Sequence, residues 1–189
     1  MMYRNLMSMC VEEMINAQPM DSVILLGGCD KNIPALMMGS FSTDVPSVLM
    51  VPGPMMTGMY NNERVGACTD CRRYWSQFRS NTISKKEIEK VEGRLATTAG
   101  TCAVMGTAST MACIAEVLGM SLPGTAAIPA VHADRLRATE ATGVAAVGLI
   151  ESSIRPTQVI TRKSVENALR VLLALGGLSR NIPMGRQNK

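Results

Sequence analysis

The sequence predicts an α/β fold, a mostly parallel sheet flanked by helices, and three observations lead there. Short aliphatic runs at 22–26 and 47–51 are bounded by Asp, Gly and Pro, as buried strands are. Segments with apolar residues at the helical period precede, separate and follow these runs. The resulting order, helix–strand–turn–helix–strand, belongs to layered α/β proteins.

Leu6, Met9, Cys10 and Met14 recur near the helical period, which predicts a helix over 2–14 with these side chains on its apolar face. Gln18-Pro19 ends it. The run 22–26 reads as a buried parallel strand leading into the Gly27-Gly28 pair. Pro34 marks the start of the next helix, continued by Ala35, Leu36, Met37 and Met38. The strand at 47–51 follows, bracketed by Pro46 and by Pro52-Gly53-Pro54. Ser84 and Glu87 form a capping-box signature, predicting a helix over 85–96. A small, polar loop at 97–101 then leads into 103–118, where small residues alternate with Met105, Met111, Ile114, Val117 and Leu118 before a stop at Gly119. Leu122-Pro123-Gly124 is a turn, and residues 164–175 predict a helix ending at Gly176-Gly177. Residues 178–189 have no apolar period, so the expected organisation is one α/β domain over 1–177 and an irregular tail over 178–189.

Composition narrows the function classes. The 189 residues carry a net charge of +4, with 18% charged and 47% hydrophobic residues, which excludes intrinsic disorder. With Gly counted and Tyr left out, the apolar share is about 54%, above the globular norm, so a large buried interface or an absent partner domain is expected. The surplus lies in 16 Met rather than in rings, of which there are 1 Trp, 3 Tyr and 2 Phe. Few rings and no dense basic run argue against nucleic acid as a partner. The longest smooth apolar runs, Val23–Leu26 and 144–150, fall far short of a membrane span. The first 21 residues lack an apolar leader core, so a cytoplasmic location is expected. In a reducing compartment the six cysteines are buried hydrophobes or metal and cluster ligands rather than a disulfide framework.

Four places could carry chemistry. Gly27-Gly28-Cys29-Asp30-Lys31 puts a thiol and a carboxylate where a strand ends and a helix begins, the place where open parallel sheets bind ligands and helix N-termini favour anions. A buried Cys beside an Asp cap, with Lys31 solvated, explains the same residues. A second Cys in a small-residue loop ahead of a helix, Cys102, is followed by hydroxyls at Thr107, Ser109 and Thr110, and close helix packing is the alternative there. Cys68 and Cys71 have a spacing used for zinc and for redox exchange. No second such pair follows, and Arg64, Arg72 and Arg73 oppose a bound cation, so this pair reads as incidental. His132, the single histidine, lies near no nucleophile motif and is either structural or part of a substrate pocket. No dinucleotide fingerprint or P-loop occurs.

Taken in order, Gly28-Cys29-Asp30-Lys31, Gly53-Pro54-Met55, Cys102 with the run from Met105 to Met111, Leu122-Pro123-Gly124 and Ala127-Ile128-Pro129 resemble the dihydroxy-acid dehydratase/6-phosphogluconate dehydratase family over about residues 1–177. The resemblance implies a hydro-lyase that converts 2,3-dihydroxy acids or aldonic (sugar) acids to 2-keto acids. Its cofactors would be an iron–sulfur cluster, 2Fe-2S or 4Fe-4S, and magnesium. By the same resemblance Cys29 and Cys102 match two of three cluster cysteines, Asp30 matches a magnesium ligand, and Lys31 matches a lysine that becomes a ligand once carbamylated. Such a ligand set is chemically consistent, because clusters take thiolates and magnesium takes hard oxygens. The family's first cluster cysteine, a further acid, the serine base and a glutamate ligand match nothing in this chain, and Cys10 does not replace that cysteine. The expectation is therefore part of the N-terminal domain of a two-domain dehydratase, inactive by itself, whose full-length form is a homodimer. A non-catalytic binding or dimerisation remnant and a zinc protein using Cys68 and Cys71 are the alternatives. The stretches 69–75 and 131–135 resemble the sugar-acid side of the family.

Overall fold

Twelve elements make up residues 2–177, which are those the structure, a computed structural model, describes. In chain order the first are α1 (Met2–Asn16), β1 (Val23–Leu26), α2 (Asn32–Thr43) and β2 (Ser47–Met50). Next come β3 (Gly58–Tyr60), β4 (Glu63–Val65), α3 (Thr69–Arg79) and α4 (Lys85–Leu95). The remainder are α5 (Thr107–Val117), α6 (Ala133–Ser152), the single turn α7 (Pro156–Val159) and α8 (Arg162–Leu175). The architecture is α/β, with small sheets. β1 and β2 are parallel, with Val23 opposite Ser47 and Leu26 opposite Met50, whereas β3 and β4 form an antiparallel hairpin.

Two cores organise the chain. In the larger, Leu25, Leu49 and Val51 pack against Ile33 and Met37 of α2, Met111, Ile114 and Ala115 of α5, and Ala168 of α8. α6 lies against β2 and β1, burying Ala138, Thr142 and Ala146. β2 is therefore buried along its whole length. Its other edge is partly filled by Met120, whose carbonyl accepts the Leu49 N–H at 2.6 Å. The smaller core joins Val65, Tyr74, Ile88, Val91 and Leu95 from β4, α3 and α4, with the Tyr60 and Tyr74 rings edge to face at 5.6 Å.

Several expectations need correction. α1 buries Ser8 and Ile15, and turns Leu6, Met9, Cys10 and Met14 to the outside. Small residues decide this, because Gly39 of α2 sits against Val11 and the Ser8 carbonyl, where a Cβ would approach them at 2.6–2.9 Å. β1 is parallel, but only Leu25 is buried, and Ile24 and Leu26 are exposed. Pro34 is the third residue of α2, still in the first turn, where its missing N–H breaks no helical bond. The helix expected over 103–118 starts only at Thr107, since 102–106 runs as a loop ending at an extended Gly106. The proposed tail, 178–189, lies outside the described residues. No described helix is long and apolar enough to cross a membrane.

At α4 the capping box is formed. The Ser84 hydroxyl accepts the Glu87 N–H at 3.3 Å, and the Glu87 carboxylate accepts the Ser84 N–H at 2.8 Å. Ser84→Ala removes the hydroxyl that accepts the Glu87 N–H, and a loss of about 1 kcal/mol is expected in urea unfolding. An unchanged midpoint would mean that water replaces the cap without cost.

Candidate functional site

Three chain connections meet where β1 and β2 end. Gly27 donates the last bond of the ladder to the Met50 carbonyl at 3.3 Å. Gly28, the next residue, is pressed between two segments, and a Cβ there would meet Pro52 Cγ at 2.7 Å and Thr101 Cγ2 at 3.0 Å. Thr101 is itself fixed beside the end of β2, donating its N–H to the Gly53 carbonyl and accepting from Met55 N–H, both at 2.9 Å. This parallel bridge between Pro54 and Thr101 holds the two connections together. Cys29 and Cys102 each lie one residue beyond the contact, near enough that ionising one thiol would disfavour ionising the other.

A third connection arrives from the smaller core. Gly66 packs against the Val104 side chain so closely that a Cβ would overlap Val104 Cγ1. Its N–H donates to Asp70 Oδ2 at 2.8 Å, and Asp70 pairs with Arg73 at 2.9 Å, which fixes the turn entering α3. Cys68 ends that turn, and its thiol lies near enough to Cys102 to help raise that group's pKa. Cys71 instead packs on the smaller core, so the two cysteines of the C-x-x-C have separate environments. Among the described residues, no three His, Cys, Asp or Glu side chains gather closely enough to hold a metal ion.

The electrostatics follow from this crowding. Burial pushes the Cys29 thiol above its ordinary pKa, assisted by the neighbouring Asp30 carboxylate, to which the thiol donates at 3.5 Å. Burial likewise raises Cys102, with Cys68 and Cys29 adding to the effect. Both thiols are held protonated in the absence of a metal. For Asp30, burial opposes ionisation, but hydrogen bonds from Lys31, Cys29 and Thr107 and the charge of Lys31 outweigh it, so its carboxyl lies below the usual range. The Lys31 ammonium is 2.9 Å from Asp30 Oδ2.

At the carboxyl ends of β1 and β2 is a cleft of about 460 Å³. Its lining includes Leu26, Gly28, Asn32, Met50, Arg135 and Thr139. Open α/β sheets bind ligands at this end. Arg135, 5% exposed, donates to the carbonyls of Val51 at 2.7 Å, Thr125 at 2.8 Å and Ile128. It thereby ties α6 to the end of β2.

Of the residues singled out from sequence, Cys29, Asp30, Lys31 and Cys102 share one neighbourhood. His132 is an exposed cap of α6, its Nδ1 accepting the Asp134 N–H at 3.1 Å. Cys68, Thr107 and Arg135 belong to the site or its frame but were not assigned to it. For Cys68 a signal was present, since it immediately precedes a helix, as Cys29 and Cys102 closely do.

Residues 1–184 match the family model described as Dihydroxy-acid/6-phosphogluconate dehydratase N-terminal. A 6-deoxy-6-sulfo-D-gluconate dehydratase of Pseudomonas putida is 40% identical over 177 residues, which cover 94% of this chain and 31% of that protein. An L-arabinonate dehydratase of Rhizobium leguminosarum bv. trifolii is 42% identical, with the same coverage of both chains. A dihydroxy-acid dehydratase of Thermodesulfovibrio yellowstonii is 36% identical over 179 residues, or 95% of this chain and 32% of that protein. The chain thus spans about a third of the length of these curated relatives.

Proposed function

Since the chain belongs to the dihydroxy-acid/6-phosphogluconate dehydratase family, we propose that it carries the cofactor-holding part of a hydro-lyase acting on 2,3-dihydroxy or aldonic acids. The observation that carries this reading is the contact of Gly28 with Pro52 and Thr101, which sets Cys29 and Cys102 beside each other and next to Asp30. Soft sulfur and hard oxygen donors thus stand side by side, as an iron–sulfur cluster and magnesium require.

Bound at this site, the cluster (2Fe-2S or 4Fe-4S) and magnesium would supply Lewis acids for the departing C3 hydroxyl and for the carboxylate and C2 hydroxyl, acidifying the C2 proton. Asp30 keeps an ionised oxygen ready for the cation. Lys31 as an ammonium neutralises Asp30 and offers no lone pair; carbamylated, it presents oxygen instead. Asn32 and Thr139 line the cleft as neutral hydrogen-bonding groups suited to a polyhydroxylated acid. Aldonic acids are the favoured substrates, because the relatives at 40% and 42% identity bear sugar-acid names.

Of the polar side chains lining the cleft, Asn32, Arg135 and Thr139, none is a base, so turnover by this chain alone is not expected. The reading includes a cytoplasmic setting, where thiols stay reduced, and a homodimeric full-length enzyme. A second reading, a non-catalytic association module, rests on the outer face of α6, where Leu136, Val144 and Val147 are exposed.

Anaerobic reconstitution with iron and sulfide tests the first reading. A visible absorption band with bound iron is expected, and it should fall at least about tenfold in Cys29→Ser and in Cys102→Ser. Cys10→Ser, on the outside of α1, should leave it intact. Well-folded protein that takes up no iron would leave the association module as the surviving account.

A further inference from the structure

We infer that the outer face of α6 binds a second copy of this chain, with the two α6 helices antiparallel. The inference rests on the association reading of that face and deepens it by naming the occupant and the register. The inner face of α6 is already used, with Arg135, Ala138, Thr142 and Ala146 buried. On the opposite side Leu136, Val144, Val147 and Ile150 are exposed, Leu136 to 76% and Val144 to 70%. At about 100° per residue, Leu136, Gly143, Val147 and Ile150 fall on one stripe, with Val144 beside it. These side chains form a patch rather than the scattered exposure usual on a monomer. Gly143 and Gly148 leave open space among them, since a Cβ at either would meet nothing within 4 Å.

Charge selects the occupant. The flank of the stripe that holds Val144 also holds Arg137 and Glu151, both exposed and each seven residues from Val144. In a two-fold antiparallel helix pair the same flank of each helix faces its mate, and positions equally far from the axis meet. With the axis beside Val144, Arg137 of each copy therefore meets Glu151 of the other. Val147 then packs over Gly143 of the second copy, where no side chain stands in the way. Arg137 already pairs with Asp134 of its own helix, but that pair is exposed and weak, and a guanidinium has donors for a second carboxylate. Glu140 interrupts the stripe, and its stem covers apolar surface while the carboxylate stays in water. The outer face of α1 is apolar too, at Leu6 and Met9, but an antiparallel pair there sets Glu13 against Met2 rather than against a base.

The test is self-association of the full chain, followed by sedimentation equilibrium over a range of concentrations without iron. Dimerisation in the micromolar range is expected, as suits the small interface of one helix pair. Val147→Asp should weaken it at least about tenfold. Arg137→Glu and Glu151→Arg should each weaken it through like-charge contact, and the two together should restore it with the signs exchanged. Met9→Asp, on the outer face of α1, should leave it unchanged. All these positions are exposed, and circular dichroism checks that each variant is folded. If the wild type stays monomeric throughout, the inference fails together with self-association. If it dimerises and Val147→Asp does not weaken the dimer, another face pairs, so the inference fails and the association reading stands. Failure of the double exchange to restore the dimer overturns the antiparallel register.

Discussion

Gly53→Ala is expected to destabilise the protein by about 3–5 kcal/mol, enough to consume much of the margin of an ordinary domain. Two effects combine. Gly53 is buried at φ +86°, a conformation that side-chain-bearing residues rarely adopt. A Cβ there would also overlap the Ile128 carbonyl and approach Arg135 Nη2 at 2.6 Å. Neither obstacle can withdraw freely, because Arg135 donates to that carbonyl. Urea unfolding of wild type and variant reads the loss as a shift in midpoint at unchanged slope. A change below about 1 kcal/mol would show that the 128 segment relaxes freely, which the Arg135 bonds forbid.

Arg135→Met should cost about 3 kcal/mol. The side chain is nearly as long as arginine and fills part of the same space, so packing changes less than hydrogen bonding does. The carbonyls of Val51, Thr125 and Ile128 lose the guanidinium at once, and of these Thr125 keeps the Ile128 N–H. Burial lowers the pKa of this guanidinium, so part of the cost of removing it is offset by relief of desolvation. The net loss remains because the buried Val51 carbonyl is left without its guanidinium donor. Arg135→Lys should recover only part of it, since an ammonium cannot spread across the three acceptors. Gly53→Ala and Arg135→Met act on the same carbonyl, so the double variant should lose clearly less than the sum of the two. Strict additivity would separate the two sites and count against a shared role of the Arg135 bonds.

How much of this was legible in the sequence varies by element and has physical causes. β1, β2, α4 and α8 were readable because local signals agree there: aliphatic runs between breakers, a capping box, and a Gly176 stop at φ +64°. α6 escaped notice because the usual rule is reversed on it. Its buried positions are Ala138, Thr142, Ala146 and Arg135, while Leu136, Val144 and Val147 face outward. A periodic search for large apolar residues therefore follows the wrong face. α1 misled for the same reason, with Ser8 inside and Met9 outside. The β3–β4 hairpin did carry a signal, Asn61-Asn62, both at positive φ, as a two-residue hairpin turn requires.

For the candidate site, the thiol–carboxylate pair at Cys29 and Asp30 could be read from its place between a strand and a helix. The nearness of Cys68 to Cys102 could not. It depends on Gly66 lying against Val104, a contact between two cores that no local pattern encodes.

Gly28, Pro52 and Thr101 come from distant stretches of the chain and touch only once both connections are in place. During synthesis the sulfurs are therefore strangers to one another until tertiary closure is nearly complete. Iron delivered to the nascent polypeptide would find isolated thiols, open to scavenging and oxidation. If the proposed cluster is bound, topology sets the order of its maturation: polypeptide first, inorganic centre last.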